Sequence, residues 1–563
     1  MTGATAQQWR ERSRSAELKS DGQAARQAML DGLNEHPSDA SLWNSAGSLF
    51  MRLTDREAAE EHFAKAAGLQ PDNMEFAVNR AIALSALSRH AEAVTQLKRF
   101  SDKGRTSVLY CSTRGTAERG IRSLTQAALW YDRALELEPA RAKALHGRAR
   151  VAIERGEDTA LQRFDKALSV NQGDADLWLG KAQALDVAGD HSGARQIAEA
   201  LVNQAPQWTE GLRFLAQLRL GQGEEDFTSH YGDAMKRVPQ DPNIPAEWCS
   251  VLGGLDYNTA AADVAEQAQI SFPEVAHFRL LEAVNAGAAG DNDRAEGIFA
   301  RLEQNDSERW LHEARHRIRR AELDHASTLL DQVTALDPWS ISAWALRGIV
   351  WRLTKDKRSA WLDGQDELVR LMPLQDADTI LPKVIPLLHR LHDKSPLPLG
   401  QSLRGGSQTR GILFDRTEPE LDELRRAVLK TVEEYRRQLP PSHPKHPLLR
   451  LRDQAWRLEG SWSVRLSGGG DFHTAHIHPQ GIVSSALYLE LPAGVTETAD
   501  QSGWLEVGRP AADLGLDLGP LQTLEPKPGH MALFPSTLYH GTRPFSAGRR
   551  MTVAFDVSTK QGN

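Results

Sequence analysis

Prolines recur along residues 20–375 of this chain at one or two multiples of about 34 residues. They stand at positions 37, 71, 139, 206, 239, 273, 338 and 373, with Gln172 in the slot between Pro139 and Pro206. Between them a second pattern repeats. Trp43, Ala46, Gly47 and Phe50 share one helical face, then Ala59, Phe63 and Ala66 share the next, before Pro71. Later units give Trp178, Ala182, Ala194, Ala198 and Pro206, and Trp344, Gly348, Trp351, Ala360 and Pro373; partial units give Ala127, Tyr131, Ala134 and Pro139, and Ala160, Phe164 and Ala167. Small residues let two antiparallel helices approach closely, an aromatic ring fills the space beside them, and proline stops the second helix. A period of this length commits most of the chain to stacked helix pairs.

These positions resemble the tetratricopeptide repeat. The resemblance implies a concave groove that captures a peptide or protein surface, or one that pairs two copies of the chain as a homodimer. Residues 100–120 and 275–325 break the pattern. There, 101–106 reads as a loop, 286–292 as a helix-to-helix turn, and Arg315–Arg320 as a solvated helix face or else a partner patch.

The chain has 563 residues, too many for one core, so a multidomain protein is expected. Its formal net charge of −8 argues against nucleic-acid binding. Two distant cysteines, Cys111 and Cys249, exclude a disulfide framework and make a thiolate zinc site implausible. The N-terminal residues lack an apolar targeting core, and no apolar run is long enough for a bilayer. A reducing, cytoplasmic setting without a membrane partner is the expectation.

The repeat texture fades after Pro373. Residues 394–407, rich in Pro, Gly and Ser, read as a connector, which divides the chain into a helical array over 1–380, a linker over 381–407 and a second domain over 408–563. Residues 418–438 form an amphipathic helix with Leu421, Leu424, Val428 and Val432 on one face, ended by the proline-rich run 440–447. Short strands follow at 456–458, 462–466, 483–491, 504–507, 530–534 and 551–557. This spacing predicts a jelly-roll-type sandwich or barrel.

One stretch of that domain carries chemistry. If 472–478 is a strand, His476 and His478 point to one face, where two imidazoles can grip a metal ion. A third ligand must come from a distant strand, for which His540 is the candidate. Arg550 follows at a distance that lets a neighbouring strand bring a cation into the same cavity. The pattern points to a mononuclear iron site that uses an acidic cosubstrate. His473 falls on the opposite face of a regular strand, His530 follows a Pro-Gly turn, and Arg549 points away from Arg550; all three are expected outside the ligand set.

Residues 470–479, the strand Ser485-Ala-Leu-Tyr-Leu489, Pro528-Gly529, Leu533 to His540, and Arg550 to Asp556 together resemble the 2-oxoglutarate/Fe(II) oxygenases related to the prolyl hydroxylases. The resemblance covers about 405–560. It implies a double-stranded β-helix with a supporting helix, and Fe(II), 2-oxoglutarate and O2 as cofactors. It puts His476, His478 and His540 on the iron, although most relatives have a carboxylate where His478 stands. Arg550 becomes the anchor of the cosubstrate's distal carboxylate. Thr552, two residues on, shares its strand face and can add a hydrogen bond, and Tyr488, on the strand after the first motif, either reaches the cosubstrate or is a core tyrosine. The function implied is a dioxygenase that hydroxylates a protein or peptide brought by the array.

Three rivals remain. One is a non-catalytic repeat scaffold with a degenerate oxygenase or cupin-like metal-binding domain. A cupin proper needs a glutamate where Ile482 and Val483 stand, and its second motif fails because His540 lies too far beyond Gly529. A zinc hydrolase would need a base such as Asp471 or Glu490 beside the metal.

Overall fold

The computed structural model describes residues 4–395, 399, 403–467, 471–492, 495, 501–546 and 548–559. The chain divides into two compact units, Met1–Ala184 and Leu185–Asn563.

In the first unit antiparallel helices pair as the small and aromatic positions require. A Cβ on Gly47 would meet the Phe63 ring at 2.6 Å, and one on Gly115 would meet Tyr131 at 2.8 Å. Ala46, Ala59 and Ala66 are fully buried around these contacts. The Trp–Pro spacing also has a cause. Trp43 Nε1–H donates to the Pro37 carbonyl at 2.9 Å, and Trp178 Nε1–H donates to Gln172, the residue in the missing proline's slot, also at 2.9 Å. An indole N–H at a helix-pair seam needs such an acceptor. The expected loop at 101–106 contains a single helical turn, Ser101–Gly104.

The second unit continues the helix pairs to the helix Arg358–Asp363 and repeats the same bond, Trp344 Nε1–H to Pro338, at 2.9 Å. Two antiparallel sheets follow. Their strands are β1 (Arg370–Pro373), β2 (Leu403–Arg404), β3 (Ser407–Gln408), β4 (Trp456–Leu466), β5 (Phe472–His476), β6 (Val483–Glu490), β7 (Leu505–Val507), β8 (Gln522–Leu524), β9 (His530–Pro535), β10 (His540–Thr542) and β11 (Arg550–Thr559). One sheet runs β1-β9-β6-β11-β4-β3 and the other β2-β5-β10-β7-β8, a jelly-roll-like arrangement.

The central strand β11 shows how the sheet separates core from cavity. Met551, Val553, Phe555 and Val557 are each 0% exposed and pack with Leu421, Leu424, Val428 and Val432 of the expected helix, observed as Pro419–Gln438. Each of these buried side chains contributes ~1.5–3 kcal/mol of apolar transfer. Arg550, Thr552, Ala554 and Asp556 alternate with them and line the cavity.

Two expectations about the boundary change. β1 lies within the stretch assigned to the array, yet it pairs along β9, Arg370 with Leu533 through Pro373 with His530. The helix Ala377–His392 lies largely in the expected linker, yet Ile380, Val384, Leu387 and Leu388 pack into the sheet's core. Residues 396–398 and 400–402 of the connector lie outside the described residues.

Arg315–Arg320 is not simply a solvated face. Arg319 donates through Nη2 to Asp513 Oδ2 at 2.8 Å and through Nε to the Asp513 carbonyl at 2.9 Å. Leu329, Leu346 and Ile349 of the helix pairs form one apolar cluster with Ala511, Leu514 and Tyr539 of the sheet unit, with Ile477 packed against it. Among the described residues no helix is long and apolar enough to cross a membrane.

Candidate metal centre

The three histidines meet. His476 and His478 lie at and just beyond the end of β5, and His540 opens β10, which pairs with β5 so that His540 faces His476 across the ladder. Ring centroids are 4.3 Å apart for His476–His540 and 5.0 Å for both His476–His478 and His478–His540. Each offers one ligand nitrogen, and the three nitrogens lie within 4.8 Å of one another.

Hydrogen bonds orient the rings. His476 Nδ1–H donates to the Thr474 carbonyl at 2.7 Å, His540 Nδ1–H to the Leu538 carbonyl at 3.1 Å, and His478 Nδ1–H to Asp556 Oδ1 at 2.5 Å. With the proton on Nδ1, each Nε2 keeps a lone pair for the shared point. The Nε2 atoms of His476 and His478 approach to 2.9 Å. Two lone pairs so close repel unless a proton or a metal ion lies between them.

His540 is buried; His476 and His478 touch the cavity. Burial, then the neighbouring His478, pushes His476 down to about 3. Burial, then His476, holds His540 well below the ordinary range. His476 and His540 are therefore neutral imidazoles, the form that binds metals. Three imidazole nitrogens fit a divalent ion with positions left open, and imidazole suits iron.

The cavity in front of them measures about 480 Å³. Arg550 lies in its wall, 3% exposed, with Nη1–H donating to the Gly503 carbonyl at 2.7 Å. Its guanidinium carbon is 5.3 Å from the centroid of the Tyr488 ring. Nε of Arg550 is buried without a hydrogen-bond partner among the described residues, and the guanidinium and the Tyr488 hydroxyl interact with each other. A buried cation with an unfilled donor position beside a metal-ligand cluster fits an anionic ligand that spans the two. Thr552 lines the same wall, whereas Tyr488 is not a lining residue and stands beside Arg550, across the ladder from Thr552.

His473 departs from its expected place. It lines the cavity, its ring 6.0 Å from that of His476. The register explains this: Thr542 pairs with His473 and His540 with His476, so the four residues 473–476 of β5 face the three residues 540–542 of β10. That bulge turns His473 back to the face of His476. His530 bonds back to the Pro528 carbonyl at 3.1 Å, away from the cluster, and the Arg549 side chain is 57% exposed. Asp471 accepts from the Ser467 N–H at 2.9 Å and Glu490 pairs with His389 at 2.9 Å; neither lines the cavity, so no hydrolase base comes from them. Gly470 lies outside the described residues.

Residues not singled out from sequence complete the wall: Asp556, Trp462 from β4, Gln408 from β3, Arg404 from β2, and Gly254 and Asp256 from a turn between two array helices. Arg404 Nε–H donates to Asp256 at 3.0 Å. Alternation along β11 from Arg550 was the available signal for Asp556; pattern alone gave none for the others.

Comparison with known proteins agrees with this geometry. The family described as "Putative 2OG-Fe(II) oxygenase" matches residues 460–556, which contain all three histidines, Arg550 and Asp556. The chain carries a C-terminal 2OG-Fe(II) oxygenase-family domain. Tetratricopeptide-repeat families match 44–104 and 157–218. Among curated proteins, Protein FlbA of Caulobacter vibrioides is 26% identical over 205 residues, 36% of this chain and 30% of FlbA. The match therefore spans less than a third of that relative. Similar solved structures include a tetratricopeptide repeat protein from Parabacteroides merdae, at 18% identity and TM-score 0.36, covering 42% of this chain and 93% of that one. Yeast Tom70 is another, at 14% identity and TM-score 0.30, covering 63% and 96%. The oxygenase-family domain thus holds the histidine cluster, and tetratricopeptide repeats, a protein-interaction module, precede it.

Proposed function

We propose that this protein is an Fe(II)- and 2-oxoglutarate-dependent dioxygenase that hydroxylates a protein or peptide side chain delivered by the repeat array. The observation that carries the reading is the shared cavity, with three oriented Nε2 atoms and the under-paired Arg550 guanidinium in one wall. Bound iron, with 2-oxoglutarate and O2, supplies oxidation of an unactivated C–H bond, the cosubstrate leaving as succinate and CO2.

The chain's own residues bind and orient. His476, His478 and His540 would hold the ion through their Nε2 atoms at the cavity wall. Arg550 offers a fixed, permanently charged donor to the distal carboxylate, and Thr552, two residues on, adds its hydroxyl from the same face. Tyr488 stands behind the cavity wall and backs the guanidinium. Trp462, Val464 and Leu466 wall the cavity with apolar surface that keeps water from the reacting C–H. The array contributes Gly254 and Asp256 to the same wall, so a substrate held by the repeats has a short path to the histidines.

His478 in place of a carboxylate favours the second reading, a metal-binding scaffold without turnover. Succinate formation and O2 uptake with Fe(II) and 2-oxoglutarate separate the two. Wild type is expected to form succinate, His540→Ala to lose iron and turnover together, and Arg550→Ala to keep iron and lose turnover. Iron-loaded wild type that consumes neither O2 nor 2-oxoglutarate overturns the oxygenase reading.

A further inference from the structure

Position 478 carries no carboxylate, but a carboxylate stands one hydrogen bond behind it. Asp556 reaches the cavity through the alternation of β11, and its Oδ1 accepts the His478 Nδ1–H at 2.5 Å, with both side chains 14% exposed. The acceptors of His476 and His540 are neutral backbone carbonyls. His478 is thus the ring whose Nδ1–H is bonded to a carboxylate.

The surroundings hold Asp556 in place. Ser484, its partner across the ladder, donates its hydroxyl toward Asp556 Oδ1 at 3.5 Å and bonds the Ser536 hydroxyl at 3.0 Å. A Cβ on Gly481 would stand 3.1 Å from both Asp556 Cβ and Ser536 Oγ, so glycine leaves the carboxylate its room. Trp462 packs against His478, with ring centroids 5.4 Å apart.

We propose that Asp556 is the positioning residue of the metal centre. It fixes His478 with its Nε2 lone pair toward the ion, and it supplies through that imidazole the negative charge that a directly ligating carboxylate would provide. The inference rests on the reading of the three histidines as ligands, and not on the oxidation chemistry. A carboxylate bonded to a ligating histidine raises the ligand's basicity, and losing such a partner costs 10–100-fold in metal affinity.

The test reads affinity on the full chain, with Co(II) and, anaerobically, Fe(II), by competition with a chelator. Asp556→Asn is expected to weaken both metals about 10–100-fold. In a His478→Ala background the same substitution is expected to cost nothing further. In a His478→Asp background, where two carboxylates would face each other, it is expected to tighten binding. Unchanged affinity in Asp556→Asn, or an equal loss with and without His478, overturns the proposal.

If Asp556→Asn also loosens the metal-free fold, proton spectra of the Co(II) protein decide. One of the exchangeable, metal-shifted ring N–H signals is expected to move while the other two stay; equal movement of all three, or none, overturns it. Wild type that binds metal but forms no succinate sinks the oxygenase reading and leaves this one standing. Wild type that binds neither metal sinks both.

Discussion

Arg315, on an array helix, donates Nη1–H to the hydroxyl of Tyr539 at 2.8 Å, and Tyr539 directly precedes His540. The same guanidinium donates Nε–H to Asp513 at 2.9 Å. Burial works against its charge, but Tyr539 and Asp513 outweigh burial and hold it above the ordinary arginine range. The last residue before a candidate metal ligand is thus fastened to the repeats. Arg315→Ala leaves Asp513 with one fewer cation and Tyr539 without that donor. It is expected to cost roughly 2–3 kcal/mol, at or below the low end for a broken buried pair because the two side chains keep 23% and 22% exposure. Thermal unfolding and metal titration check this: both the unfolding temperature and the metal affinity should fall. A loss of stability with metal affinity intact would separate the joint from the site.

Arg550→Lys keeps the charge but removes the planar fork. The Gly503 carbonyl already occupies one donor, and Nε is the orphaned one. An ammonium satisfies one acceptor at a time, so the KM for 2-oxoglutarate is expected to rise about 10–100-fold, the equivalent of ~1.5–3 kcal/mol for a charge-assisted hydrogen bond. Iron affinity without cosubstrate should not change. A parallel loss of iron would mean that Arg550 supports the fold of the site and not the cosubstrate.

How much of this was legible depends on which interaction places each residue. Arg550, Thr552 and His476 were readable because a strand's period of two needs no partner; His478 joins them from just beyond β5, where that strand has already ended. His473 was not, because the bulge that turns it is a property of two strands' register. The role of Arg315 and Arg319 was hidden because their partner, Asp513, is 198 and 194 residues away. A helical window shows only that they are charged. β1 escaped notice because it is four residues long and ends in Pro373, which an edge strand tolerates and a sequence reading takes as a stop. The helix Ala377–His392 was masked by Pro382 and Pro386 in its interior, where proline ordinarily breaks a helix.

Arg404 and Asp256 close part of the cavity wall from opposite sides, one on β2 and one on the array turn. Asp256→Lys sets two cations against each other there. The expected outcome is a several-fold higher KM for a polypeptide substrate, with substrate-free conversion of 2-oxoglutarate unchanged. Paired assays with and without polypeptide check this. Equal loss in both would place the pair in the metal site's own support.

Asp363 ends the helix Arg358–Asp363 and is buried, with Oδ1 lacking a hydrogen-bond partner among the described residues. Burial, opposed by the nearby Arg352, raises its carboxyl to about 7. The Arg352 guanidinium is otherwise engaged with the carbonyls of Gly508 and Gly519. In the unfolded chain an aspartate titrates near ~3.9, so folding favours the protonated form. That contribution is full below about pH 4 and is lost as the pH rises through about 7. Asp363→Asn cannot ionise and escapes the loss. Its unfolding temperature should match wild type near pH 4, exceed it increasingly up to about pH 7 and level off above that, in thermal melts from about pH 4 to pH 8. A difference that stays flat with pH would show that Asp363 is ionised in the folded protein throughout, held by Arg352.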